Sequence, residues 1–167
     1  LDINFSNKNI LVTIGITCFN EGSYLKEAWQ SVLNQTNQKW KAIMILDGGN
    51  SLDTKRVFSS ISHPRLKKLQ NDNNKGPYYT RAKAINNSKT LWYVQLDGDD
   101  LLPKRAIEII ESTIINNSEA EYIYGKCNHF NKDISNLVIP EKNSDSLSLR
   151  PLFNGQAPIK VKLFQKL

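Results

Sequence analysis

The chain has 167 residues, of which 40% are hydrophobic, and its 22 Lys and Arg against 16 Asp and Glu give a formal net charge of +6. This length is enough for one globular domain with a sizeable core. The chain shows neither an apolar stretch of the roughly 20 residues that a membrane span requires nor a signal-peptide pattern, so no transmembrane segment is expected. The positive charges are scattered rather than gathered on one basic helix, so nucleic acid is not expected as a partner.

Apolar runs rich in β-formers alternate with segments of helical periodicity through residue 126. Such alternation is typical of βαβ units, in which parallel strands form a central sheet covered by helices. It predicts an α/β protein with a mainly parallel central sheet. Beyond residue 126 the pattern weakens, and 130–139 is compatible with a hairpin. The predicted strands are 10–17, 42–46, 66–69, 91–96 and 121–125, and the predicted helices are 24–33, 53–62, 79–87 and one that begins near Pro103.

The fourth predicted strand ends in an acidic cluster formed by Asp97, Asp99 and Asp100, with Gly98 between the first two. In an open α/β sheet, ligands bind beyond the carboxyl ends of the strands. Carboxylates this close repel one another unless a cation or protons neutralise them. Oxygen ligands without Cys or His suit Mg²⁺ or Mn²⁺, which bridge carboxylates to substrate phosphates. The cluster predicts a metal–diphosphate site, and an acidic turn that caps the next helix is the alternative.

Small polar clusters also follow the first strand, at 18–22, and the second, at 47–51. Three such ends side by side would make one site, with one loop each for a base, a ribose and a phosphate–metal group. The two cysteines, Cys18 and Cys127, are far apart and show no metal-ligand spacing. Free thiols in a reduced cytosolic setting are therefore expected.

Five short motifs occur along the chain in an order that resembles a family 2 glycosyltransferase of the GT-A fold. A single Asp-x-Asp is common, but five motifs in order at strand ends are specific. The resemblance covers roughly residues 10–126 well and the remainder thinly. The motifs are Thr17-Cys18-Phe19-Asn20-Glu21, Ser31-Val32-Leu33-Asn34-Gln35-Thr36, Asp47-Gly48-Gly49, Asn74-Lys75-Gly76 with Arg81, and Leu96-Asp97-Gly98-Asp99-Asp100 with Pro103.

The resemblance implies a three-layer α/β/α sandwich whose parallel strands run in the order three, two, one, four. It implies an inverting transfer of a sugar from a UDP-sugar donor to an acceptor hydroxyl, with Mn²⁺ or Mg²⁺ as cofactor. The acceptor would be a carbohydrate or a lipid-linked glycan. The expected location is cytoplasmic, or peripheral at the inner face of the membrane.

The resemblance also implies how the chain is divided. It is expected to be a single domain over 1–167, with a nucleotide-binding core over 1–126 and the start of an acceptor-side region over 127–167. The family's catalytic base is an acidic residue expected beyond Leu167, and Asp133, Glu141 and Asp145 do not match it. The chain by itself is therefore expected to be the donor-binding part.

Three residues are assigned by the resemblance to recognition of the nucleotide base. Phe19 replaces a Tyr that packs on the base, and a core Phe at a strand end is the alternative. Thr17 would lie at the edge of the base. Asp47 would accept a hydrogen bond from the base, as a desolvated carboxylate that discriminates against the wrong partner. A turn Asp before Gly48 is the alternative.

The remaining assigned residues would contact the diphosphate, the sugar or the metal. Glu21 would order the loop after the first strand, or its negative charge would stabilise the N-terminus of the helix that follows. Arg81 would lie near the diphosphate or sugar, with a solvated helix Arg as the alternative. Asp97 would reach the ribose or sugar, and Asp99 would be the metal ligand.

Three other functions are alternatives for a protein with these strand-end loops. A nucleotidyltransferase also uses paired carboxylates and Mg²⁺, but usually carries a Gly-rich basic loop after strand one, and 18–22 contains no basic residue. A dehydrogenase is disfavoured because no G-x-G-x-x-G follows that strand. A non-catalytic nucleotide-sugar-binding module remains a further alternative.

Overall fold

The computed structural model describes residues 12–49, 51–123 and 157–164, and within these ranges strands and helices alternate. None of the helices in these ranges is both long and apolar enough to cross a membrane. The strands are β1 (Val12–Cys18), β2 (Trp40–Asp47), β3 (Leu66–Asn71), β4 (Trp92–Asp97) and β5 (Ile159–Lys160). The helices are α1 (Tyr24–Leu33), α2 (Leu52–Ser60), α3 (Pro77–Asn86), α4 (Ala106–Asn116) and α5 (Val161–Phe164).

The sheet has the strand order β3-β2-β1-β4-β5. The first four of these strands are mutually parallel, and the short β5 runs antiparallel to β4. Both the α/β class and the predicted order three, two, one, four are confirmed. The chain winds outward from β1 to β3 and then returns to the other side of β1 for β4. The strand order therefore reverses between β1 and β4, where ligands bind in such sheets.

The two faces of the sheet are covered by different helices, which makes three layers. Even-numbered strand residues such as Ile14, Met44 and Leu96 pack in one core with α1, α2 and α4. Odd-numbered residues such as Ile45 and Tyr93 pack in a second core with α3, and with Val161 of α5. Strands buried on both faces read as continuous apolar runs, which is why β1 and β2 are recognisable in the sequence.

Two predicted elements differ from the structure. The predicted strand 121–125 is reduced in its described part to a single bridge between Tyr122 and Ile159. The fifth strand is instead β5, because Ile159 and Lys160 also pair with β4. The helix predicted from Pro103 begins at Ala106, after a turn closed by the Ala106 amide on the Pro103 carbonyl. The predicted hairpin 130–139 lies outside the described residues.

Gln35, within the second motif, holds the segment that follows the acidic cluster. It is buried, its Nε2 donates to the Pro103 carbonyl at 2.8 Å, and its Oε1 accepts from the Ile107 amide at 3.1 Å. Nearby, Ser31 Oγ accepts from the Leu102 amide at 3.0 Å. This motif therefore has a structural role in the described chain, since it anchors residues 102–107 to the end of α1.

Gln35→Leu is expected to reduce the free energy of unfolding by roughly 1–3 kcal/mol, because the buried Ile107 amide loses its acceptor. The matched control is Gln30→Leu, which changes an exposed glutamine on α1, the helix that precedes Gln35, and is expected to stay within about 0.5 kcal/mol of the parent. Urea denaturation of the two variants measures both values. Equal stability of the two variants would contradict the anchoring role.

Candidate functional site

The carboxyl ends of β1, β2 and β4 surround a cavity of about 230 Å³. All the residues predicted from the sequence as site residues line it, so the structure brings together side chains spread over more than 80 positions of the sequence. The lining residues are Thr17, Cys18, Phe19, Glu21, Asp47, Asn74, Pro77, Thr80, Arg81, Asp97 and Asp99.

Glycines allow the loops around the cavity to approach one another closely. Gly48 has a φ of +64°, and a Cβ there would lie 2.2 Å from the backbone of Asn73. A Cβ on Gly49 would lie 1.8 Å from the Phe19 carbonyl oxygen. The loop after β2 therefore packs directly against those after β1 and β3, which only glycine permits at these two positions.

Asp47 is almost fully buried, with 5% of its surface exposed, and its carboxylate holds the loop between β3 and α3. Its Oδ1 accepts from Asn71 Nδ2 at 2.7 Å and from the Lys75 amide at 2.9 Å, and its Oδ2 accepts from the Gly76 amide at 2.9 Å. Burial by itself would raise the pKa of Asp47, but these hydrogen bonds outweigh it and hold that pKa below its ordinary value. Asp47 therefore stays ionised and orders residues 74–76 beside the cavity.

Asp97, at the end of β4, is bound by three side chains from three elements. Arg81 of α3 donates from Nη2 to Oδ2 at 2.6 Å and from Nε to Oδ1 at 3.3 Å. Gln95 Nε2 and the Thr17 hydroxyl donate to the same Oδ1, at 3.1 and 3.2 Å. Arg81 and Asp97 are each about one-third exposed, at 31% and 29%. This ion pair thus forms a wall of the cavity, and Arg81 is not a purely solvated helix residue.

Glu21 and Asp99 add negative charge on the β1 side of the cavity. Glu21 Oε2 accepts a 2.5 Å hydrogen bond from the Phe19 amide, which holds the turn of the first loop. Burial, followed by the negative charges of Asp99 and Asp97, raises the pKa of Glu21 above its ordinary value. Asp99 itself is exposed. The region therefore favours a cation placed among these oxygens.

A divalent cation fits the chemistry of these oxygens. Within the described ranges, no group of three or more His, Cys, Asp or Glu side chains is arranged to enclose a metal ion. Mg²⁺ and Mn²⁺ commonly use one or two carboxylates and take the other ligands from substrate phosphates and water. Asp99, exposed at the cavity edge, meets that requirement without a closed protein cage.

Cys18 and Phe19 occupy different environments at the end of β1. Cys18 is buried, and its thiol contacts the Ile45 carbonyl at 3.4 Å. Burial, with the charges of Glu21 and Asp47, raises the pKa of this thiol well above its ordinary range, so it is not a nucleophile. Phe19 is half-buried and lines the cavity, so its ring is available to a planar ligand.

Several contributors to the site were not singled out from the sequence. Thr80 and Asn71 are buried and connect to Asp47 through Asn71 Nδ2, which also donates to Thr80 Oγ1 at 3.0 Å. Gln95 lies in an apolar run, where a single buried glutamine could have been read as a signal of a polar network. Pro77 lines the cavity because α3 begins there, two residues before the predicted start.

Residues 13–157 match the family model described as "Glycosyl transferase family 2". A relative from Escherichia coli, named a UDP-Glc:alpha-D-GlcNAc-diphosphoundecaprenol beta-1,3-glucosyltransferase, is 26% identical over 134 residues, which cover 79% of this chain and 52% of that protein. The chain spans 34% and 50% of the length of the first two curated relatives it matches.

Two solved structures share the fold. The Staphylococcus aureus TarS fragment 1–349 in complex with UDP-GlcNAc superposes with a TM-score of 0.76 at 15% identity, over 93% of this chain and 46% of that one. A mannosyltransferase from Pyrobaculum calidifontis in complex with GDP-Man and Mn²⁺ gives a TM-score of 0.66 at 14% identity, over 93% and 46% of the two chains. At these identities the likeness establishes the fold alone.

Proposed function

Because the chain belongs to glycosyl transferase family 2, we propose that it binds a UDP-sugar donor in the cavity at the ends of β1, β2 and β4. The observation that carries the proposal is that all the motif side chains assigned to the donor line this one cavity. The cavity lies at the point where the strand order reverses, which is the general position of ligand sites in such sheets.

In this proposal, the uracil lies between Phe19 and the loop that Asp47 orders. Asp47 Oδ2 accepts from the Gly76 amide, and a carboxylate oxygen has a second lone pair for a base N–H. Thr17 lies beside Asp97 on the same sheet face and would contact the edge of the base or ribose. A purine base offers a different arrangement of donors and a larger ring, so these contacts favour uracil.

The diphosphate would lie near Arg81 and Asp99, which line the same cavity. Asp99 would hold Mn²⁺ or Mg²⁺, and that cation, when bound, would neutralise the charge on the leaving nucleoside diphosphate. Arg81 would approach a phosphate or the sugar while paired with Asp97. Asp97 would accept from a ribose or sugar hydroxyl.

The proposed reaction is a transfer with inversion at the anomeric carbon. The acceptor oxygen forms a bond to that carbon, the bond to the UDP oxygen breaks, and the proton of the acceptor hydroxyl passes to a carboxylate base. The acceptor would be a carbohydrate or a lipid-linked glycan, a class to which the acceptor named for the Escherichia coli relative belongs. We assign the base to none of the described residues.

The test is calorimetric titration of the protein with UDP, GDP and ADP in the presence of Mn²⁺. UDP is expected to bind roughly tenfold more tightly than the purine nucleotides, which is the effect of about one base-specific hydrogen bond. GDP is the informative comparison, because the Pyrobaculum calidifontis structure holds a GDP-sugar. Equal or tighter binding of GDP would contradict the proposed uracil recognition.

A further inference from the structure

A buried chain of polar side chains leads from the middle of the sheet to the cavity. Tyr93, Gln95 and Asp97 alternate along β4, so all three lie on the face covered by α3, beside Gly15 and Thr17 of β1. Tyr93 and Gln95 are only 4% and 3% exposed. Buried polar groups are retained with hydrogen-bond partners, and here the partners lead to Asp97.

The direction of each hydrogen bond follows from chemistry. A carboxylate only accepts, so the amide nitrogen of Gln95 must face Asp97, which places Gln95 Oε1 toward Tyr93. The Tyr93 hydroxyl then donates to Oε1 at 2.5 Å. Gln95 Nε2 donates to Thr17 Oγ1 at 2.9 Å and to Asp97 Oδ1 at 3.1 Å. Each partner thus fixes the orientation of the next.

Gly15 provides the space for the start of this chain. A Cβ at this position would lie 1.9 Å from the Tyr93 hydroxyl oxygen and 2.4 Å from the ring carbon that carries it. The Tyr93 side chain therefore crosses directly over the β1 backbone, and any larger residue would displace it. Burial raises the pKa of Tyr93 well above its ordinary value, so the phenol remains a donor at physiological pH.

We infer that Gln95, supported by Tyr93, is a positioning residue that sets the orientation of Asp97 toward the nucleotide. The inference rests on the proposed function, since it assigns Asp97 to the donor. Gln95 and Thr17 bind Oδ1, while Arg81 Nη2 binds Oδ2, so the plane of the carboxylate is held from two sides. A group held in this way loses less conformational entropy when the ligand arrives.

The first test measures UDP affinity by calorimetry with Mn²⁺ for Gln95→Leu, Tyr93→Phe and Ile110→Val. Gln95→Leu is expected to weaken binding about 5–10-fold, the equivalent of one ordinary hydrogen bond, and Tyr93→Phe less. Ile110→Val is the matched control, because Ile110 is buried in the other core and its truncation lowers stability without touching this network. Unchanged affinity in Gln95→Leu would overturn the inference.

A double-mutant cycle separates positioning from a general structural effect. If Gln95 acts through Asp97, then Gln95→Leu has no further effect on UDP affinity in an Asp97→Ala background. If Gln95 only supports the overall structure, Gln95→Leu weakens UDP binding by the same factor with Asp97 and with Asp97→Ala, and the inference is wrong.

A nucleotide-free measurement keeps the inference testable if the wild-type protein fails to bind UDP, a result that would contradict the proposed function alone. In protein labelled with ¹⁵N-arginine, the Arg81 Nε–H resonance is assigned by its absence in Arg81→Lys. Because Arg81 Nε shares Asp97 Oδ1 with Gln95, this resonance is expected to shift in Gln95→Leu and not in Ile110→Val. An Arg81 resonance that is the same in wild type and Gln95→Leu would overturn the inference.

Discussion

Asp99→Asn is expected to remove most of the Mn²⁺-dependent affinity for UDP. The substitution keeps the size of the side chain but removes the charge of the exposed carboxylate proposed to hold the metal at the cavity edge. Loss of a residue that only hydrogen-bonds to a metal ligand costs about 10–100-fold in metal affinity. Loss of a direct ligand should therefore cost roughly 100-fold or more. Mn²⁺ relaxation measures metal binding, and calorimetry measures UDP binding with and without the metal.

The control for net charge is Glu119→Gln, which removes one exposed carboxylate beyond the C-terminal end of α4. This variant is expected to bind Mn²⁺ and UDP as the parent does. Without metal, the parent and Asp99→Asn should bind UDP with similar, weaker affinity. If Mn²⁺ titrates identically into the parent and Asp99→Asn, then Asp99 is only part of an acidic turn before α4.

Asp47→Asn is expected to lower the free energy of unfolding by roughly 2–4 kcal/mol at neutral pH. The carboxylate accepts from Asn71 Nδ2 and from the Lys75 and Gly76 amides, and hydrogen bonds to a charged group contribute about 1.5–3 kcal/mol each without being additive. An asparagine would turn its amide nitrogen toward one of these donors. Residues 74–76 would then lose their attachment, and UDP affinity should fall with them.

The pH dependence of this difference follows from the lowered pKa of Asp47. A group whose pKa is lower in the folded than in the unfolded state stabilises the fold fully above its unfolded pKa, about 3.9 for Asp. That contribution is lost as the pH falls through the folded pKa. The difference between parent and Asp47→Asn should therefore be constant near neutrality and shrink below about pH 4.

Urea denaturation between neutral pH and pH 3 measures this profile. Asp72→Asn is the matched control, because Asp72 is exposed and follows β3 directly, and exposed charges contribute about 0–1 kcal/mol. Coincident stability profiles for the parent and Asp47→Asn would show that Asp47 does not hold the loop, and a constant offset down to about pH 3 would contradict the lowered pKa of Asp47.

Much of the site was predictable because its residues sit at strand ends. A buried apolar run that stops at a carboxylate, as β2 does at Asp47 and β4 at Asp97, places that carboxylate at one edge of a parallel sheet. The first four predicted strands therefore agree with β1 to β4 within a few residues, whereas the predicted strand 121–125 does not correspond to β5. The partners of these carboxylates were harder to predict, because Asn71 lies 24 positions from Asp47 and Thr17 lies 80 positions from Asp97, with no local signal that links them.

The amino-acid sequence by itself determined the α/β class, the order of the parallel strands through the motif order, and the strand ends that face one cavity. The α/β class and the strand ends follow from local periodicity, whereas the order of the strands was implied by the resemblance of the motifs to family 2 glycosyltransferases. Only the tertiary structure decided that β5 comes from Ile159 and Lys160, which pair with Tyr93 and Trp92 across more than 60 positions of the chain. It also decided that Asp47 and Asp97 are held by hydrogen bonds from α3 and its preceding loop. Such contacts depend on how layers pack, because a side chain's partner is set by distance in space rather than by spacing in the sequence.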